Sequence, residues 1–79
     1  MIITNEIRSA WARDALAAFA ECTGQNASGD LEHDKETVVC DLLCDLRHLC
    51  DEEGVDWNNC LRRGMDHYES EIDPENEGL

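Results

Sequence analysis

The sequence predicts an all-α fold, a small three-helix bundle followed by an acidic C-terminal tail. Three observations carry this. Three segments place their apolar residues on one helical face at a period near 3.6. Residues suited to capping or stopping a helix bound each segment: Thr4 and Gly24, Asp34 and Gly54, Asp56 and Pro74. The first segment is also rich in alanine, the strongest helix former. Residues 1–72 are read as one domain and 73–79 as the tail, because 79 residues suffice for a single modest core.

The first helix is expected from Thr4 to Thr23, with Thr4 as N-cap and Gly24 past its end. Ile7, Trp11, Ala12, Ala15, Leu16, Ala18, Phe19 and Cys22 share one broad half, which is the expected buried face. Glu6, Arg13, Ala17, Ala20 and Glu21 fall on the other half. Residues 24–34 lose the periodicity and turn to Gly, Asn, Ser and Asp, so a loop is expected there. A second helix starts at Asp34 or Lys35 and ends at Glu53, before Gly54. Its stripe is Val39, Leu42, Leu43, Leu46, Leu49 and Cys50. Asp56 caps a third helix running from Trp57 to Glu71 or Ile72. Trp57, Cys60, Leu61, Gly64, Met65, Tyr68 and Ile72 share its apolar face, and the short link makes it an antiparallel neighbour of the second helix. Pro74 and the carboxylates after it predict a frayed tail.

Charge narrows the function classes. Nineteen acidic residues stand against six basic ones, a formal net charge of −13. Such a surface repels nucleic acid and anionic membrane and attracts basic proteins, above all those that grip phosphate backbones. No run approaches the ~20 apolar residues of a membrane helix, and the N-terminus carries no secretion-signal pattern. The five cysteines are odd in number and lie within helical patterns. Reduced thiols in a bacterial cytoplasm are therefore expected, not a disulfide framework.

The segment Val39-Cys-Asp-Leu-Leu-Cys-Asp-Leu-Arg-His-Leu-Cys-Asp-Glu-Glu-Gly-Val-Asp-Trp, with His67-Tyr68 and Glu71, resembles a group of small bacterial, phage and plasmid proteins. Their pattern is Asp-Leu-Leu-x-Asp-Leu-x-His, a Gly-hydrophobic-Asp-aromatic turn, and a helix carrying His-Tyr-x-x-Glu. The resemblance covers roughly residues 38 to 71. It implies a helical fold and a mobile-element setting, and no reaction. The five cysteines and the acidic tail go beyond the pattern.

Several residue groups invite a chemical reading. Cys40, Cys44 and His48 stand at i, i+4 and i+8. Sites i and i+8 are about 12 Å apart along a helix, too far for one zinc with bonds of about 2.0–2.3 Å. Two of the three at most can share an ion, completed by Cys22, Cys60 or His33. The alternative is that the thiols serve as small apolar residues against the first helix. Asp41, Asp45, His48 and Glu52 line successive turns of the second helix. They suit a general base or a carboxylate–histidine metal site, but equally a solvated stripe with Asp45 beside His48. No nucleophile or glycine-rich phosphate loop accompanies them. Tyr68 is expected in the core with its hydroxyl outward; His67 is expected to pair on the surface, and Trp11 and Trp57 to anchor the core or, as the alternative, an exposed interface. Arg62 and Arg63 are too few among so many acids for a nucleic-acid footprint, so pairing with nearby carboxylates is expected.

The acidic residues fall into three blocks: Asp30, Glu32, Asp34 and Glu36; Asp51, Glu52, Glu53 and Asp56; and Asp66, Glu69, Glu71, Asp73, Glu75 and Glu77. The third sets six carboxylates in twelve residues. On a helical rise that is about one charge per 3 Å, near the charge spacing of one DNA strand. The leading expectation is thus a non-enzymatic inhibitor from a mobile element, of the anti-CRISPR or wider anti-defence kind. It mimics nucleic acid toward a basic nucleic-acid-handling protein, contacts no nucleic acid or membrane itself, and needs no cofactor. Its partner-binding residues are Asp51, Glu52, Glu53, Asp66, Glu69, Glu71 and Asp73. Two other readings stay open: a zinc-binding structural or catalytic module using Cys40, Cys44, His48 and His67, and a homodimer whose helices complete one another's core.

Overall fold

The computed structural model describes the backbone of residues 2–77 and the side chains of residues 2–72. It is all-α, 82% helical, with no strand among the described residues. Its elements are α1 Asn5–Thr23, α2 Asp30–His33, α3 Lys35–Glu53 and α4 Trp57–Glu77. Contacts divide the chain into two units, Met1–His48 and Leu49–Leu79, with the division falling inside α3.

Local chemistry accounts for the helix ends. The Thr4 backbone is extended, and its Oγ1 accepts from the Ile7 amide at 3.3 Å. That satisfies one of the donors every helix start leaves open. Gly24 closes α1 in the left-handed region, φ 82°, where a Cβ is disfavoured. Asp34 caps α3: Oδ1 accepts from the Thr37 amide at 3.4 Å and Oδ2 from the Thr37 hydroxyl at 2.9 Å. At the other end of α3, Gly54 again has positive φ, 72°. The Val55 amide reaches back to the Cys50 carbonyl at 2.9 Å, the long hydrogen bond of a Schellman ending. Asp56 caps α4 through the Asn59 amide at 3.0 Å.

Two boundaries depart from the sequence reading. The expected loop over 24–34 contains α2, a single turn. Gly29, at φ 92°, opens it, and its carbonyl accepts from both Glu32 and His33. Leu31 on this turn packs on the core, which gives an otherwise polar segment a reason to coil. The second departure is α4, whose helical backbone runs to Glu77, past the stop expected at Glu71 or Ile72. Pro74 offers no amide to the Ser70 carbonyl, so it costs one bond of the ladder, yet the helix continues past it. The side chains of Asp73, Glu75 and Glu77 lie outside the described residues.

The core lies in the first unit and is small. Leu16 and Ala20 of α1 and Val38 of α3 are buried, with Phe19, Leu31 and Leu42 packed at its edge. Leu16 and Ala20 are one turn apart, and the methyl of Ala20, fully buried, lets α3 approach closely enough to bury Val38 completely. Burying Leu16 and Val38 contributes about 1.5–3 kcal/mol each. This core corrects the expected faces. Ala20 was placed on the outer half of the first helix, and Val38 was not in the stripe of the second. Trp11, expected as an anchor, is 52% exposed. It points about 140° away from Leu16 around the helix. Across the fold, the Gln25 amide group donates to Asp41 Oδ2 at 2.7 Å and ties the loop to α3.

Candidate protein-binding surface

The second unit carries most of the excess charge for its length. Leu49–Leu79 holds ten carboxylates and two arginines, a formal −8. Met1–His48 holds nine carboxylates and four basic residues, a formal −5, on a longer chain. None of the described side chains in Leu49–Leu79 is buried.

Helix periodicity sorts the predicted partner-binding residues. Asp51, Glu52 and Glu53 are all exposed in the last turn of α3. Being consecutive, they fan out at about 100° intervals and do not form one row. On α4, Asp66 and Glu69 are exposed and share one flank, about 60° apart. Glu71 is half-buried and falls on the opposite flank, about 140–160° from them. The unbroken third block read from the sequence is therefore split by the helix. Arg62 Nη1 bridges to Asp66 at 3.4 Å, and Nη2 donates to Asn59 Oδ1 at 2.7 Å. The expected pairing of the arginines with neighbouring acids thus holds at Arg62.

Between the flanks, α4 presents an apolar row: half-buried Trp57, then Leu61 at 49%, Met65 at 52% and Tyr68 at 56% exposure. Tyr68 was expected in the core and is not there. The row recurs at four, four and three residues, the seam of an amphipathic helix. Leu49 and Val55 in the same unit are likewise exposed. The sequence displayed this row but assigned it to an interior.

The chemical alternatives do not converge. Among the described residues, no group of three or more His, Cys, Asp and Glu is placed to hold a metal ion. All five cysteines are free; Cys22, Cys40, Cys44 and Cys60 are exposed, and only Cys50 is half-buried. That corrects the reading of Cys40 and Cys44 as packing residues. In the Asp41–Asp45–His48–Glu52 stripe, Asp41 is engaged by Gln25, while Asp45, His48 and Glu52 face solvent. His33 lies near a carboxylate, with Glu32 at 3.9 Å. One grouping has no signal in the sequence. A cavity of about 350 Å³ in the first unit is lined by Arg13, Leu16, Ala17, Leu31, Glu32 and Lys35. It brings together two of the six basic residues from different helices, which no local spacing announces.

No helix of the described residues is long and apolar enough to cross a membrane. Comparison with protein-family models, curated proteins and solved structures finds no match to this chain.

Proposed function

We infer that this chain is a small acidic, non-enzymatic binding protein. It docks through Leu49–Leu79 on a basic nucleic-acid-handling protein and keeps polyanions off that surface. One observation carries the reading: a formal charge of −8 and an open apolar row share one short unit that buries none of its described side chains. α4 is the docking helix. Trp57, Leu61, Met65 and Tyr68 fill a groove, in the manner of amphipathic helices that lie in partner clefts. Aromatic residues and methionine are the types that dominate such contacts. Asp66 and Glu69 then meet arginines and lysines that otherwise hold phosphates, and Asp51, Glu52 and Glu53 widen the acidic field. Glu71 and Asp73 belong to the proposed contact set on the same charge argument. Long-range attraction speeds encounter, and affinity falls as salt rises. An anti-defence inhibitor of a phage or plasmid, anti-CRISPR-like, is the concrete form of this role; the charge argument supports it, and the resemblance over residues 38 to 71 adds only a mobile-element setting.

The test uses the immobilised full chain and a bacterial lysate. The captured protein should be basic, should elute as salt rises toward about 1 M, and should be displaced by double-stranded DNA or RNA. The combined variant Asp51→Asn, Glu52→Gln, Glu53→Gln, Asp66→Asn, Glu69→Gln should lose capture while its circular dichroism stays helical. Capture that survives these substitutions, or that nucleic acid does not compete away, would overturn the reading.

A further inference from the structure

Free cysteine is among the residue types most often buried, and where it is exposed its chemistry matters more than its packing. Here four of five thiols are exposed. Cys40 and Cys44 sit one turn apart on α3, within the first unit. Cβ atoms at i and i+4 are about 5–6 Å apart. Two thiolates on one tetrahedral zinc, with bonds of about 2.3 Å, need their sulfurs about 3.8 Å apart. Side chains of this length close that gap without disturbing the helix. A single chain stops there: no third ligand converges among the described residues, and His48 is two turns from Cys40. The pair is half of a four-thiolate site.

Val39, Leu43 and Leu46 are exposed on the same helix at 42%, 46% and 38%, their strip centred about 110° from the thiols with Arg47 between. This apolar strip lies nearer Cys40 and Cys44 than His48, about 40° farther round the helix than Cys44. It therefore favours the Cys40–Cys44 pair over Cys44–His48 as the chelating half. Antiparallel pairing of α3 with the same helix of a second copy sets Cys40 of each chain against Cys44 of the other. Of the exposed apolar residues it brings Leu43, about 60° from Cys40, nearest the seam. We propose that Cys40 and Cys44 are half of an intermolecular tetrathiolate zinc site that joins two copies of this chain. Each thiol that binds gives its proton to solvent, so filling one site releases up to four protons. Zn2+ with four thiolates carries a net charge of −2, so the zinc–sulfur bonds, and not charge neutralisation, must overcome the repulsion between two chains of net charge −13.

The proposal stands apart from the docking role of Leu49–Leu79 and is tested separately. The full chain, kept reduced with a phosphine and freed of metal, is titrated with zinc and followed by sedimentation and by metal analysis after desalting. The expected result is one zinc per two chains, a doubling of mass, and reversal by EDTA. Cobalt in place of zinc should give the intense visible bands of a tetrahedral thiolate site. Cys40→Ser/Cys44→Ser should lose both the retained metal and the doubling with helicity intact, whereas His48→Ala should keep both. One zinc per chain without a change in mass, no retained zinc, doubling that persists in the double serine variant, or loss of the site in His48→Ala would each overturn the assignment.

Discussion

Met1–His48 and Leu49–Leu79 are built from similar helices and spend their apolar residues differently. Among the described side chains the three buried ones, Leu16, Ala20 and Val38, all lie in the first unit, which also holds four of the six basic residues. The second contains more than half of the carboxylates, and its best-patterned helix leaves Leu61, Met65 and Tyr68 about half exposed. An apolar row is not evidence of a core. In the first unit it meets a second helix through a small residue, Ala20. In the second it stands open between acidic flanks, where it suits a partner better than it stabilises the chain.

The contrast predicts a ranking of substitutions. The largest effect belongs to the core: Leu16→Ala should destabilise the fold by about 2–4 kcal/mol, since few neighbours exist to fill the gap. Urea unfolding followed by circular dichroism measures this. The same truncation in the second unit, Leu61→Ala or Met65→Ala, should cost less than about 1 kcal/mol while weakening capture of a basic partner. If Leu61→Ala proved as costly as Leu16→Ala, the second unit would have a hidden core and the comparison would fail. Caps come next, and they sharpen it by acting alike in both units. Thr4→Ala at α1 and Asp56→Ala at α4 should each cost about 1 kcal/mol, read as a shift in the thermal midpoint. Smallest is the exposed pair on α4. Arg62→Gln should change stability by about 0.3–0.5 kcal/mol, and by less as salt is raised. Raising salt on the unaltered chain should stabilise it, because screening relieves the self-repulsion of a −13 surface.

The candidate surface was legible in outline only. The carboxylate surplus after His48 is plain from composition, and so is the Trp57–Leu61–Met65–Tyr68 row. What spacing along the chain hid was the angular placement. Consecutive Asp51, Glu52 and Glu53 point three ways, and Glu71 leaves the flank of Asp66 and Glu69, because a helix turns each successive residue by about 100°. The Arg13–Lys35 cavity was invisible for the opposite reason: its residues are distant in sequence and meet only across packed helices.

Local rules were enough for the long helices. Thr4, Gly24, Asp34, Gly54 and Asp56 act within about four residues of themselves, so the caps and stops could be placed before any packing was known. Net charge, and its repulsion of nucleic acid, likewise follow from composition alone. Burial does not. Alanine on nearly every side of α1 gives weak contrast between faces, so periodicity favoured the Trp11 side. Contact with Val38, far along the chain, kept Leu16 from that face and added Ala20 from the other. Which side of an amphipathic helix is covered depends on what approaches it, and only the tertiary structure brings those residues together.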